Sequence, residues 1–119
     1  MITVTNLTKK KAPNIAWEII CEKILGKKYR LSVVLTNNSM MKKLNTGYRN
    51  DNKPASVLSF PYSSDDGEIF INTNYDKNSI LLLFVHGLLH LKGYKHGDKM
   101  ETLEKKYCIK FEEGLKHKK

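Results

Sequence analysis

Apolar residues recur along this chain with two different periods. Short runs rich in β-branched and other apolar residues, bounded by turn formers, predict strands. We place four strands, at residues 2–6, 31–36, 56–60 and 68–72. Apolar residues spaced three or four positions apart predict amphipathic helices. Four helices cover residues 13–25, 38–44, 80–91 and 98–113.

Turn-forming residues mark the expected ends of these elements. A loop should cover Gly47–Pro54, because that stretch is rich in turn formers. Pro61 should end the third strand, since proline cannot donate to a β-ladder, and Ser63–Gly67 should form a hairpin turn. Asn78 or Ser79 is the expected N-cap of the third helix. This irregular order, with one hairpin, predicts an α+β fold in which a small mixed β-sheet packs with helices and the third helix is central and buried.

The composition is that of a globular domain. The chain of 119 residues, 40% of them hydrophobic and 28% charged, is long enough for one domain with a single core. We expect that domain to cover residues 1–115, followed by a basic, disordered tail at 116–119. The longest uninterrupted apolar run, Ile80–Val85, is too short to span a membrane, and no signal peptide is readable. Cys21 and Cys108 lack any paired motif, which is typical of reduced thiols in a cytoplasmic protein.

The charge of the chain is strongly positive. A formal net charge of +9, from 21 basic and 12 acidic residues, indicates a polyanionic partner. The alternative is a solvated lysine surface without a specific partner. Almost all of the basic residues are lysines, and only Arg30 and Arg49 are arginines. Because lysine binds phosphate as a point charge without reading bases, this excess favours affinity for nucleic acid over choice of sequence.

Three histidines cluster at the end of the third helix. His86 and His90 are four positions apart, so on a helix each can turn one ring nitrogen toward the same ion. Gly93 can adopt the left-handed conformation that ends a helix, so that His96 reaches that ion as well. Three neutral nitrogen ligands with a fourth position open suit zinc, which acidifies a bound water to a pKa of about 7, although nickel, copper or iron would bind the same atoms. The alternative is histidines that are hydrogen-bonded in the core or line a dry cleft.

The spacing of these histidines also suggests what the site does. The pattern H-x-x-x-H-x-x-G-x-x-H matches that of zinc proteases, except that Gly87 stands in place of the glutamate general base. Loss of that base usually costs about a hundredfold or more in rate, which disfavours peptide hydrolysis. Phosphodiester cleavage depends less on such a group, because a metal and cationic side chains can stabilise the developing charge. Arg49 is a candidate for that role, since a guanidinium holds two phosphate oxygens at once; the alternative is a surface arginine bonded to a nearby carbonyl.

Several segments together resemble the YbeY family of bacterial rRNA maturation endoribonucleases. The segment His86–His96 resembles the family signature H-G-x-L-H-L-x-G-Y-D-H. Leu44–Arg49, followed by Pro54 and Val57–Pro61, is similar to the family's L-N-x-x-Y-R and P-T-D-V-L-S-F-P segment. Gly67–Ile71 resembles its G-D-I-x-I strand. The likeness covers most of the chain.

This resemblance implies an α+β fold, one Zn²⁺ per chain held by the three histidines, and zinc-dependent cleavage of single-stranded RNA. It also implies a role in 16S rRNA 3′-end maturation and ribosome quality control. We expect a cytoplasmic protein with the ribosome or ribosomal proteins as partners and with neither DNA nor a membrane. Arg49 matches the arginine that the family needs for activity. Ser59 matches the serine of the V-L-S-F strand, where it either faces the site or bonds to backbone. Lys95, beside the third histidine, either repels the metal's charge or recruits phosphate.

Three departures from the family pattern concern the shape of the site. Lys95 replaces the signature aspartate and removes a candidate carboxylate beside the third ligand. Ala55-Ser56 replaces Thr-Asp, so the segment after Arg49 is anchored differently. The connector 72–78 is shorter than in the family, where another helical segment is expected.

These observations leave hypotheses from different classes. The first is a zinc-dependent endoribonuclease that acts on rRNA. The second is a non-catalytic ribosome-assembly factor that binds rRNA and protein partners and keeps the metal as a structural staple. A third and weaker hypothesis is a metalloprotease.

Overall fold

The computed structural model describes residues 1–49 and 55–116, and for residues 48, 49 and 113–116 it describes the backbone alone. In chain order, the elements are β1 (Ile2–Asn6), α1 (Trp17–Leu25), β2 (Arg30–Thr36), α2 (Asn38–Arg49), β3 (Val57–Ser63), β4 (Asp66–Asn72), α3 (Lys77–Lys92) and α4 (Asp98–Lys116). The prediction of an α+β fold is therefore confirmed. Residues 117–119 of the expected tail lie outside the described residues. Among the described residues, no helix combines the length and apolarity that crossing a bilayer requires.

The four strands form one mixed sheet in the order β1-β2-β4-β3. β1 and β4 both run parallel to β2, so that Val33 pairs with Val4 on one side and with Ile69 on the other. β3 pairs antiparallel with β4 as a hairpin, with Leu58 opposite Phe70. β2 and β4 are thus the inner strands, and their largely apolar sequences are typical of strands that are covered by other elements.

α3 lies at the centre of the core. It packs against β3 and β4 of the sheet and against α1 and α4. Phe84 and Leu88 of α3 are completely buried, as are Ile69 and Ile71 of β4. Trp17 packs edge-to-face on Phe84, with 4.9 Å between the ring centroids, so the first helix is held to the core by its aromatic residue. Burial of each large apolar side chain contributes roughly 1.5–3 kcal/mol, so the buried residues of α3 contribute strongly to stability.

The β3–β4 hairpin differs from its prediction at Pro61. β3 continues to Ser63, with a register shift between Pro61 and Ser63, and Pro61 stands opposite Gly67. The prediction that Pro61 ends the strand is wrong because β3 is an edge strand, where proline is tolerated when its missing donor faces away from the ladder. The hairpin itself is present, but its turn is Ser64–Asp65, since Gly67 already belongs to β4.

The start of α3 also differs from its prediction. The helix begins at Lys77, three residues before the predicted start at Ile80, because Asp76 is its N-cap instead of Asn78 or Ser79. The Asp76 carboxylate accepts a hydrogen bond from the Ser79 amide at 3.0 Å. Aspartate is among the preferred residues for this position because its oxygen satisfies an amide that has no partner within the helix.

Two other helices have boundaries that the sequence pattern misses. α2 continues to Arg49, so Gly47–Arg49, predicted as loop, is helical. Met41 and Asn45, one turn apart on α2, are both buried, which indicates that packing outweighs the turn-forming composition of this stretch. α1 begins four residues after Pro13, since short hydrogen-bonded turns occupy the residues between them.

Candidate metal centre

The three histidines of the sequence motif lie together at the C-terminal end of α3. His86 and His90 are one turn apart on this helix, and their ring centroids are 4.5 Å apart. The ring of His96 lies 5.0 Å from that of His86 and 4.6 Å from that of His90. One ring nitrogen from each histidine lies within 4.8 Å of the others, so all three rings can reach one ion.

The end of α3 explains how His96 returns to the other two histidines. Gly93 has a φ of 108°, and its amide donates to the His90 carbonyl at 3.0 Å. The Tyr94 amide donates to the Leu89 carbonyl, also at 3.0 Å. These two bonds form a Schellman motif, which ends the helix and turns the chain back. The prediction that Gly93 ends the helix in the left-handed conformation is confirmed.

Hydrogen bonds on the outer side of the rings determine which nitrogen faces the cluster. Nδ1 of His86 lies 2.5 Å from Oε1 of Glu104, and Nδ1 of His90 lies 3.1 Å from the carbonyl oxygen of Tyr94. A carboxylate and a carbonyl both accept, so these partners assign the proton of each ring to Nδ1. The two Nε2 atoms then carry free lone pairs, and they lie 3.0 Å apart.

This arrangement fits a metal ion. Two lone pairs at that distance repel each other unless a cation, either a proton or a metal ion, lies between them. Two effects lower the pKa of His90 from its ordinary value of 6.5. The larger effect is burial, and the second is the neighbouring His86. His90 is therefore neutral at physiological pH, which is the form that binds a metal. Neutral imidazole nitrogens suit zinc and other late transition metals.

The histidines line a cleft of about 440 Å³ together with Val57 and Ser59 of β3. The two histidines of α3 are half-buried and His96 is exposed, so the cluster is accessible from solvent. Ser59 Oγ donates to the carbonyl of Gly87 at 3.3 Å. Ser59 therefore both lines the cleft and bonds to backbone, so the two alternatives for this residue do not exclude each other.

The surroundings of Gly87 explain why the protease glutamate is missing. Gly87 is buried where α3 packs on the sheet. A Cβ at this position would lie 3.0 Å from Ser59 Oγ and 3.1 Å from Ile69 Cδ1, which is tighter than ordinary van der Waals contact. Any side chain at position 87 therefore requires Ser59 and Ile69 to shift. The packing thus disfavours at this position the base that the zinc-protease pattern requires.

The two basic residues of the candidate site are Arg49 and Lys95. Arg49 is the last residue of α2, and its side chain lies outside the described part of the chain, so its contact with substrate stays a prediction. Lys95 is exposed next to His96. Lys99, in the first turn of α4, places its Nζ 5.6 Å from the centroid of the Tyr94 ring. Positive charge therefore lies on both sides of His96 in the chain.

Sequence reasoning missed two polar residues, one that bonds a site histidine and one that is buried at the end of β4. Glu104 lies one turn after Met100, on a face of α4 that was predicted to be apolar. Its carboxylate is nevertheless hydrogen-bonded to His86. Asn72 is completely buried at the end of β4, and its Nδ2 donates to Asn38 Oδ1 at 2.6 Å and to the Ala55 carbonyl at 3.4 Å. Ala55 is thereby anchored through its backbone. In both cases the available signal is a polar residue next to an apolar run.

The fold and the site together define the class of protein. It is an α+β domain with a three-histidine cleft at the end of its buried central helix. The family model described as Endoribonuclease YbeY matches residues 3–112. This chain therefore belongs to the YbeY family, and the resemblance in its motifs is confirmed.

Curated relatives with the name Endoribonuclease YbeY match the chain over different spans. The protein from Pelagibacter ubique is 38% identical over 93 residues, which cover 62% of this chain and 61% of that protein. The protein from Ehrlichia chaffeensis is 41% identical over 87 residues, covering 60% and 56%. The protein from a Sulfurihydrogenibium species is 32% identical over 124 residues, covering 89% and 78%. The chain thus spans 61% and 56% of the length of the first two relatives.

A solved structure shares the fold. The solution structure of a protein from Thermotoga maritima matches with a TM-score of 0.70 at 24% identity. The match covers 99% of this chain and 93% of that protein. The arrangement of strands and helices described above is therefore also found in a solved structure.

Proposed function

We propose that this chain is a metal-dependent endoribonuclease that cleaves single-stranded RNA, with a cellular role in 16S rRNA 3′-end maturation and ribosome quality control. The observation that carries the proposal is the open cleft in which three histidines can hold one ion. The relatives that match this chain are named endoribonucleases. Membership of the same family supports the same activity here.

In this proposal His86, His90 and His96 hold one Zn²⁺ per chain. Three protein ligands leave the fourth tetrahedral position free for water or substrate. When bound, zinc supplies a Lewis acid and lowers the pKa of a water at that position. The chain's own contribution is to keep the ligands oriented, since the Tyr94 carbonyl holds the His90 ring and Gly93 brings His96 back to the cleft.

Arg49 is proposed to bind the scissile phosphate. Its guanidinium offers paired donors that match two phosphate oxygens. Arg49 ends α2, and the next described element of the chain is β3, which contributes Val57 and Ser59 to the cleft. Ser59 and the exposed Lys95 are proposed to contact the RNA near the cut, Ser59 from the wall of the cleft and Lys95 from its rim.

The form of the cleft favours this function over a purely structural metal. Structural zinc sites are closed by four protein ligands. In the part of the chain that the structure describes, the cluster offers three ligands, of which His96 is exposed. Gly87 similarly argues against a peptidase, because it supplies no carboxylate base and its tight packing disfavours one.

The charge of the molecule supports RNA as the partner. A net charge of +9 attracts a polyanion without selecting its sequence. We propose single-stranded rRNA as the substrate, the ribosome or ribosomal proteins as binding partners, and the cytoplasm as the compartment.

Metal analysis and RNA cleavage by the purified chain test the proposal. We expect about one zinc per chain by elemental analysis, in line with a three-histidine site. Single-stranded RNA should be cut, single-stranded DNA of the same sequence should stay intact, and a chelator should stop cleavage until zinc is restored. Arg49→Ala should keep its zinc and lose about a hundredfold or more in cleavage rate. Arg30→Ala is the matched control, because Arg30 is exposed. Among the described residues, its side chain forms an ion pair with Asp65 alone, at 3.8 Å.

Each hypothesis predicts a different result. Protein without bound metal would overturn the metal centre. Bound metal and RNA binding without chelator-sensitive cleavage would indicate a ribosome-assembly factor, and metal-dependent peptide turnover would indicate a protease. A cyclic phosphate at the new 3′ end would show that the RNA's own 2′-hydroxyl is the attacking oxygen.

A further inference from the structure

Glu104 is a charged residue on the side of α4 that faces the core. On that side Met100 is buried, and Leu103 and Tyr107 are partly buried against the same cluster. The Glu104 side chain is only 15% exposed. A carboxylate in such surroundings needs a hydrogen-bonded or charged partner, because burying an unpaired charge is costly.

The partner of Glu104 is His86 of α3. Oε1 of Glu104 lies 2.5 Å from Nδ1 of His86, so this bond crosses the interface between the two helices. An ionised carboxylate can only accept a hydrogen bond, which assigns the ring proton to Nδ1. The opposite nitrogen, Nε2, then faces Nε2 of His90 in the cleft, 3.0 Å away.

We propose that Glu104 is a positioning residue of the candidate metal centre, which holds His86 in the tautomer and orientation that ligation through Nε2 requires. The inference rests on the proposed metal site. A carboxylate bonded to the outer nitrogen of a ligating histidine also makes the ligating nitrogen more basic. The aspartate that Lys95 replaces was one candidate for such a carboxylate, and Glu104 supplies one from a different element of the fold.

The two histidines of α3 are held in different ways. His90 donates to the backbone carbonyl of Tyr94, a bond that no side-chain substitution removes directly. His86 depends on the side chain of Glu104. Without Glu104, the His86 ring is free to move its proton to Nε2 and donate it to Nε2 of His90, because these atoms already lie at hydrogen-bond distance. That internal bond would occupy both nitrogens that a metal needs.

Three variants of the full chain test this role. Glu104→Ala removes the acceptor, whereas Glu104→Gln removes the charge but keeps a carbonyl oxygen that accepts the same bond. Glu101→Ala is the matched control, since Glu101 lies one turn earlier on α4, is exposed and has no described bond to the histidines. Zinc affinity is measured by competition with a chromogenic chelator. We expect Glu104→Ala to bind zinc about 10- to 100-fold more weakly, Glu104→Gln to recover most of that loss, and Glu101→Ala to match the unmodified chain.

The tautomer of His86 gives a second measurement that does not depend on metal or activity. In metal-free protein, ¹⁵N NMR of the imidazole rings reports which nitrogen carries the proton. We expect Nδ1–H for His86 in the unmodified chain and in Glu104→Gln, and a shift toward Nε2–H in Glu104→Ala. A purely structural ion pair would change the stability of the protein without changing this signature.

The outcomes separate this inference from the proposed function. Folded Glu104→Ala with unchanged zinc affinity, or a His86 ring in the unmodified protein that carries its proton on Nε2 and none on Nδ1, would overturn the role of Glu104. If Glu104→Ala fails to fold, Glu104→Gln decides, because loss of both zinc affinity and the Nδ1–H signal in that variant contradicts a role through the hydrogen bond. A chain that binds zinc and shows the expected tautomers but cuts no RNA would refute the proposed activity and leave the positioning role intact.

Discussion

The two ring nitrogens of His90 have different surroundings, and this difference is what makes the residue a metal ligand candidate. Nδ1 is bonded to the Tyr94 carbonyl, while Nε2 faces His86 and the cleft. Burial lowers the pKa of His90, so the ring is neutral and Nε2 has a free lone pair. The residue thus contributes a donor atom to the cleft and little to the packing of the core.

Replacing His90 with alanine should therefore remove the metal and leave the fold. The core residues of α3, such as Phe84 and Leu88, are buried independently of the His90 ring. We expect zinc per chain to fall close to zero, and the variant to be about 1 kcal/mol less stable than the unmodified chain when both are free of metal, as for a typical substitution. Elemental analysis and circular dichroism measure the two effects. His117→Ala, at the fourth histidine outside the motif, should keep its zinc, and an unfolded His90→Ala variant would instead support a structural metal.

The two cysteines should react slowly in the folded protein. Burial raises the pKa of both thiols, Cys21 and Cys108, to about 11. Since the thiolate is the reactive form, its fraction at mildly alkaline pH is about a hundredfold lower than for a thiol of pKa about 9. Reaction with a disulfide reagent should be slow in the native chain and fast after unfolding in urea. The variants Cys108→Ser and Cys21→Ser show which cysteine accounts for each part of the reaction. Fast reaction of Cys108 in the native chain would contradict the effect of burial.

At the scale of elements, α3 has defined bonds at both of its ends. Asp76 caps its start, and the bonds of Gly93 and Tyr94 close its end. Between these ends the helix packs closely on the sheet, with Gly87 at the contact with Ser59. Helix position and cleft geometry are therefore coupled, because any shift of α3 moves the histidines that it carries.

Adding a side chain at Gly87 should destabilise the protein. Overpacking costs about 1–3 kcal/mol, which exceeds the roughly 1 kcal/mol that alanine gains over glycine in a helix. We expect Gly87→Ala to lower the free energy of unfolding by about 1 kcal/mol, which is the cost of overpacking less the gain in helix propensity. Guanidinium unfolding measures the change.

The matched control for this prediction is Gly47→Ala. Gly47 is also helical, and a Cβ there meets nothing within 4 Å, so alanine should stabilise the protein by about 0.5–1 kcal/mol. A stabilised Gly87→Ala variant would show that α3 can shift without cost. Gly87→Glu should fail to fold instead of gaining peptidase activity, and a folded, peptide-cleaving Gly87→Glu protein would revive the protease hypothesis.

At the scale of the whole molecule, the excess positive charge is spread over many elements. Lysines occur in every described helix, and the net charge of the chain is +9. Under the proposed function, this charge attracts RNA without selecting its sequence, whereas the cleft selects the phosphodiester that is cut. Binding and cleavage should accordingly respond to different variants.

Affinity for single-stranded RNA should fall steeply with salt and vary little with sequence. A protein that neutralises about four phosphates loses roughly 50-fold in affinity between about 50 and 200 mM salt, because counterions are released on binding. Fluorescence anisotropy with labelled oligouridine and oligoadenine measures both effects. Arg49→Ala should change this salt dependence by about one phosphate contact at most while it removes cleavage. A weak salt dependence or a strong preference for one oligonucleotide would contradict the electrostatic account.

Much of the fold follows from local patterns in the sequence. The strands β1, β2 and β4 and the hairpin are recognisable from apolar runs and turn formers, and α3 from its length and apolarity. The errors lie where tertiary contacts outweigh local preference. Pro61 remains within a strand because β3 is at the sheet edge, and Gly47 remains within a helix because Met41 and Asn45 of the same helix are buried.

By itself, the sequence determined that three histidines lie within reach of one ion, because helical spacing and Gly93 are local properties of one segment. It also carried the motifs that place the chain in its family. Only the tertiary structure decided which ring nitrogens face the cleft and why no glutamate occupies position 87. The first depends on Glu104, which α4 brings to His86 from 18 residues away, and the second on the contact of α3 with β3 and β4. Such contacts join distant parts of the chain, so no local pattern of residues encodes them.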